Sequence, residues 1–151
     1  SSSMGALPMA LDCSEKMGSR RDISSFVIPL GTTINMDGTA IYQGVCAIFI
    51  AQIFGQDLNL AQQITVVATA VLSSIGTAGV PGSGMIMLSM VLQSVGLPLE
   101  GIALVAGIDR ILDMGRTAVN TTGNMACAAC ISFMEDRKEG KLPPSSKQTA
   151  Q

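Results

Sequence analysis

Between Ile23 and Leu99 the chain carries only two charged residues, Asp37 and Asp57. Soluble domains carry about a quarter charged residues, whereas this 151-residue chain has 13% charged and 48% hydrophobic residues. A tract so poor in charge points to a membrane protein. The fold class expected is an all-α membrane protein with a broken transmembrane helix, a re-entrant helical hairpin and a long final transmembrane helix.

Segment lengths carry that expectation, because a membrane helix needs about 20 apolar residues. Segment 24–54 would make a helix of roughly 46 Å at 1.5 Å per residue. It is interrupted by Asn35-Met36-Asp37-Gly38-Thr39, which reads as two half-helices joined by unwound backbone. The apolar pieces 60–72 and 85–99 are too short to cross, and the stretch 73–84 between them is rich in Gly and Ser. Half-length helices flanking such a tip read as a re-entrant hairpin entered from one side, its tip facing a site, since irregular backbone survives at membrane depth only against protein or a water-filled cavity. Segment 101–133 reads as one long, tilted span.

Orientation follows from basic residues. Lys16, Arg20 and Arg21 precede the first span, and Arg137, Lys138, Lys141 and Lys147 follow the last. Loops around Asp57 and Glu100 have none, so both ends, the C-terminus included, are expected on the cytoplasmic side of the cell membrane. The polar tail 135–151, with Pro143-Pro144 and Ser145-Ser146, is expected to be disordered. The chain opens on Ser1-Ser2-Ser3 with nothing resembling a signal peptide, and it reads as part of something longer.

Several function classes drop out. A net charge of −2 without a basic cluster outside the tail gives no nucleic-acid footprint. There is no His and one Tyr, which removes the commonest general base and transition-metal ligand and argues against a hydrolase or a zinc enzyme. A soluble enzyme with 73–84 as a phosphate loop is disfavoured, because no basic residue lies near it. Cys127 and Cys130 spell a CxxC in an apolar helix, for which membrane-helix packing is the plain reading.

The strongest pointer to function is a polar stripe. Asp109, Asp113, Arg116, Asn120 and Asn124 share one helix face within an arc of roughly 80° at 3.6 residues per turn. Burying such a row in an apolar helix is costly unless it binds something. Arg116 offers a planar fork for a carboxylate, Asp113 an acceptor for an ammonium, and Asn120 both a donor and an acceptor. Those valences describe an acidic amino acid, while a self-neutralising ion pair at i, i+3 is the structural alternative. Arg110 lies roughly 100° off the stripe and is expected to pair or snorkel elsewhere. The 35–39 interruption places Asn35 and Asp37 beside free backbone carbonyls, the oxygen ligands that hard cations prefer and broken helices commonly supply. A water-filled polar kink is the alternative there.

Three motifs in order, Asn35-Met36-Asp37-Gly38-Thr39, Ser74-Ile75-Gly76-Thr77-Ala78-Gly79-Val80-Pro81-Gly82, and Asp109 through Asn120, resemble the glutamate transporter family of dicarboxylate/amino acid:cation symporters. The resemblance covers residues 1 to 134 and implies the C-terminal part of a transport domain: the end of a first hairpin and a cytoplasmic loop (1–23), a broken helix (24–54), a second re-entrant hairpin (60–99) and a last helix (101–134). It implies a homotrimer in the full-length protein, held by a scaffold that lies outside this chain.

Carried over position by position, the resemblance implies that Arg116 binds the substrate side-chain carboxylate and Asp113 its amino group, with Asp109 on the same stripe. Thr39, Thr117 and Asn120 complete the pocket, and Ser2 with the Val80 and Gly84 backbone closes it. Carbonyls of Gly31, Asn35 and Asn120 would form one sodium site together with Asn124. Thr33, Ser74, Ile75 and Thr77 would form a second, and the Asn35 and Asp37 side chains would serve a third. Sodium-coupled members usually place Asp where this chain has Asn124, and a neutral amide is the poorer sodium ligand. Protons are therefore the alternative coupling ion, with Asp109 or Asp37 as carrier, since burial favours a neutral carboxyl group. The function expected is symport of glutamate or aspartate with the 73–84 tip as gate. A C4-dicarboxylate symporter and an anion-conducting channel are the alternatives. No covalent chemistry is expected.

Overall fold

A computed structural model of the chain describes residues 2–75 and 82–141. Every regular element among them is helical: α1 (Ser3–Lys16), α2 (Arg21–Ile34), α3 (Asp37–Ile53), α4 (Leu60–Ile75), α5 (Ser83–Ser94), α6 (Gly101–Ala106) and α7 (Asp109–Lys138). The all-α expectation holds. Among the described residues, no single helix is long and apolar enough to cross a membrane. The long apolar segments have each been divided, and the longest helix, α7, carries the polar stripe.

The break expected at 35–39 occupies only Asn35 and Met36. Both residues have extended or irregular backbone, with φ of −103° and −119°. Breaking a helix frees amides at the next N-terminus, and here the stripe satisfies one of them, since the Gly38 N–H donates to Asn120 Oδ1 at 2.8 Å. Asp37 in the first turn of α3 adds negative charge at the positive end of the helix dipole. The interruption is thus held from outside by α7.

The last segment departs from expectation. It is not one continuous helix over 101–133 but α6 followed by α7, parted at Gly107 and Ile108. The junction closes with tight i→i+3 bonds, Ile108 N–H to Val105 O and Ile111 N–H to Ile108 O, both 3.0 Å. Gly107 favours the interruption through its low helix propensity, and Asp109 then enters the first turn of α7, where a carboxylate is favoured. At its other end α7 continues past Phe133 to Lys138, so the first four residues of the tail expected to be disordered are helical. Residues 142–151 lie outside the described residues.

The two short helices α4 and α5 pack against each other and against α3. Gly82 begins α5 with φ +81°, a left-handed conformation that glycine adopts without a Cβ penalty. The tip residues 76–81, Thr77 and Val80 among them, lie outside the described residues. The larger apolar core gathers Ala47, Ile50, Val66, Leu88, Val91, Leu92 and Val105, and a smaller one gathers Ala10, Ile28 and Ala128. Between these cores runs the buried face of α7, with α1, α2 and α3 packed along it.

Candidate functional site

Asp109, Asp113, Arg116, Asn120 and Asn124 are all buried, as one shared helix face requires. Two clusters form along that face. The first centres on Arg116, which is 5% exposed. Its Nη2 donates to Asp113 Oδ1 at 2.8 Å and to Asp109 Oδ1 at 3.3 Å. Tyr42, one turn into α3, donates its hydroxyl to the same Asp109 oxygen at 3.0 Å and places its ring 4.1 Å beneath the guanidinium carbon. Cation–π contact and two carboxylates therefore fix the plane of the guanidinium.

The ion-pair alternative is realised on one edge of Arg116 only. Nη1, on the other edge, is buried with no hydrogen-bond partner among the described residues. A buried charged donor without an acceptor is costly, and its environment explains what it could receive. Gly84, at the start of α5, faces it so closely that a Cβ there would stand 1.9 Å from Nη1. Only a residue without a side chain lets this part of α5 close over the arginine. Nearby, Asn120 Nδ2 lies 3.3 Å from Met36 Sδ, so the amide joins the broken helix through both of its ends.

The second cluster lies two turns further along α7. The Asn35 amide lies between Asn124 and Asp37: its Nδ2 donates to Asn124 Oδ1 at 3.0 Å, and with the amide turned end for end it donates instead to Asp37 Oδ1 at 2.7 Å. Gly31 and Gly123 make room for it: a Cβ on Gly31 would meet Asn124 Oδ1 at 2.4 Å, and one on Gly123 would meet Asp37 Oδ2 at 3.3 Å. Asp37 is exposed rather than buried, although its carboxylate lies beside Gly123 of α7. Among the described residues no group of three Cys, Asp or Glu converges. The donor set is instead one carboxylate with two side-chain amides, oxygen donors of the kind that hard cations take and softer transition metals do not favour.

The remaining expected residues are placed as follows. Thr39 is buried in the first turn of α3 and Thr117 is half-buried beside Arg116. Ser2 caps α1, its hydroxyl accepting from the Gly5 N–H at 3.1 Å. Thr33 is exposed and its hydroxyl donates to Pro29 O at 3.3 Å. Ser74 is buried and donates to Val71 O at 2.8 Å, while Ile75 is exposed. Arg110 is exposed, away from the stripe. Sequence reasoning missed Tyr42, Met36 and Gly38. For Tyr42 a signal existed: it is the only Tyr of the chain, set in an apolar helix where its hydroxyl needs a partner.

The chain matches the sodium:dicarboxylate symporter family over residues 1–134. It is 44% identical over 149 residues to the proton/sodium-glutamate symport protein of Bacillus subtilis (strain 168), covering 99% of this chain and 34% of that protein. With the proton/glutamate-aspartate symporter of Escherichia coli (strain K12) identity is 46% over 140 residues, 93% of this chain and 32% of that protein. With excitatory amino acid transporter 4 of Mus musculus it is 45% over 139 residues, 91% of this chain and 25% of that protein. The chain thus spans a quarter to a third of the length of these relatives. A family match over residues 1–134, with identities of 44–46% to these relatives, shows that the chain belongs to the sodium:dicarboxylate symporter family.

Proposed function

We propose that this chain is the C-terminal part of the transport domain of a multi-pass membrane symporter that carries glutamate or aspartate with sodium ions or protons. The observation that carries this reading is the half-satisfied Arg116. One edge is held by Asp109 and Asp113, and the other is buried, covered by a glycine and unpaired among the described residues.

The side-chain carboxylate of the substrate accepts from Nη1, while Tyr42 and Asp109 keep the fork oriented so that little ordering remains to be done on binding. Asp113 takes the ammonium. Thr39, Thr117 and Asn120, with Ser2 and the backbone at Val80 and Gly84, complete the pocket. Helices α4 and α5 form the arms of a re-entrant hairpin whose 73–84 tip gates it. Helices α2 and α3 cross the membrane in series, as do α6 and α7, with both chain ends cytoplasmic and the polar tail beyond. Full-length chains assemble as homotrimers through a scaffold outside this segment.

Cations are co-transported cargo. The cluster of Asn35, Asp37 and Asn124, with the carbonyls of Gly31, Asn35 and Asn120, supplies hard oxygen ligands for sodium, and the carbonyls of Thr33, Ser74, Ile75 and Thr77 supply a second set under the gate. Uptake of labelled glutamate, aspartate and succinate by the full-length carrier in proteoliposomes, under separate sodium and proton gradients, tests the reading. Uptake of the two amino acids and not of succinate is expected. Succinate uptake without glutamate uptake would remove the role of Asp113, and a proton gradient that sustains full uptake without sodium would assign the coupling to protons.

A further inference from the structure

Four cysteines occur in the chain, and two of them share a surface. Cys46 is buried in the larger core and Cys13 is half-buried on α1, each alone on its helix, whereas Cys127 and Cys130 are both exposed free thiols on α7. Relative to the buried Ala128 they lie about 100° and 160° around the helix in the same sense, about one turn apart, and both are exposed where the stripe residues are buried. Residues three apart on a helix have Cβ atoms about 5–6 Å from each other, and helical χ1 preferences turn both thiols toward the same preceding turn. Two flexible sulfurs at that spacing can close on one centre without moving the backbone.

We infer that Cys127 and Cys130 form a vicinal dithiol site for a thiophilic centre that takes two sulfur ligands, such as arsenic(III). No third Cys, Asp or Glu joins them among the described residues, which disfavours a four-ligand zinc site and leaves a two-sulfur chelate. With an organoarsenic oxide the reaction is a condensation. Both S–H bonds and the As–O bonding are lost, two As–S bonds form, one water leaves, and arsenic stays trivalent. The site is separate from the proposed substrate pocket, because both thiols are exposed whereas Asp109, Asp113, Arg116 and Asn120 are buried.

The test uses the reduced full-length carrier and phenylarsine oxide as the probe. After labelling and a wash with a monothiol, intact mass is expected to show one retained phenylarsenic group, which 2,3-dimercaptopropanol removes. Digestion is expected to place that group on the peptide containing both cysteines. Cys127→Ser or Cys130→Ser, each leaving only one sulfur, is expected to lose the group in the monothiol wash at least tenfold faster. Retention unchanged in either variant, or a wild-type chain that keeps nothing after the wash, would overturn the site. The peptide assignment on wild-type protein keeps the proposal testable even where a variant folds poorly.

Discussion

Arg116 concentrates the residue-scale chemistry, because its two edges have different fates. Replacing it with Ala strands Asp109 and Asp113, and breaking a buried pair in this way costs about 3–5 kcal/mol. Lost transport in Arg116→Ala would therefore mix pocket chemistry with lost stability. Arg116→Lys separates them, since it keeps the charge beside both carboxylates but removes the fork. Acidic-substrate affinity is expected to fall at least tenfold while thermal unfolding of the full-length carrier changes little; unchanged affinity would show that Nη1 does not bind the carboxylate. Gly84→Ala approaches the same contact from the other side. Its Cβ, placed 1.9 Å from Nη1, must displace either the guanidinium or α5, so a large loss of glutamate affinity is expected in a binding assay. Asn124→Asp is nearly isosteric beside the close-packed Gly31 and adds a carboxylate to the amide cluster. A several-fold lower half-saturating sodium concentration for uptake is the expected result, and an unchanged one would remove Asn124 from the sodium ligands.

Elements show why some of this was legible in sequence and some was not. The stripe was readable because five polar residues at helical spacing in an apolar segment have one geometric solution, and burial of all five on α7 follows it. The break before α3 was readable from Asn35 to Thr39, where an amide, a carboxylate and a glycine coincide. The break before α7 was not, because Gly107 is a weak signal when Gly115 and Gly123 lie within the unbroken helix. Nor does local pattern reveal which side chains another helix supplies. Tyr42 reaches Asp109 across 67 residues of sequence, and Gly38 meets Asn120 across 82. A third long-range contact is electrostatic. Arg20, between α1 and α2, donates to Asp22 and to Glu139 just past α7, and its own N–H donates to Ser132. Hydrogen bonds from Lys141 and Arg20 hold the Glu139 carboxyl below its ordinary 4.5, and Arg20 holds Asp22 below its ordinary 3.8. A depressed carboxylate pKa contributes stability that is present above the unfolded value and lost as pH falls through the folded one. Amides at the C-terminal end of α7 in the full-length carrier are thus expected to lose hydrogen-exchange protection, after correction for intrinsic rates, as pH falls below about 4.5. Arg20→Ala is expected to produce that loss already at neutral pH, and equal protection in both proteins would show that the clamp contributes nothing.

At the scale of the whole molecule, the surface decides what environment these helices need. Large apolar side chains stand exposed on nearly every helix: Phe26 (69%) on α2, Ile41 (61%) on α3, Leu60 and Leu72 (each 72%) on α4, Ile86 (69%) on α5 and Ile111 (71%) on α7. Scattered exposed apolar residues are ordinary in soluble proteins, but contiguous apolar surface marks a contact with lipid or with other protein. Here it coincides with a tract that has almost no charge to interrupt it, while the polar groups are turned inward along α7. That inversion suits a bundle whose outside meets lipid and partner helices and whose inside meets solutes. The relatives are three to four times longer than the matched segment, and on the reading proposed above, with the chain one part of a carrier, part of this apolar surface packs against the rest of it. The expected consequence is that these 151 residues, expressed alone, sediment as aggregate in buffer without detergent and recover a helical circular dichroism signal only in micelles or vesicles. A monodisperse, cooperatively unfolding species in detergent-free buffer would overturn both the membrane reading and the claim that the exposed faces need partners.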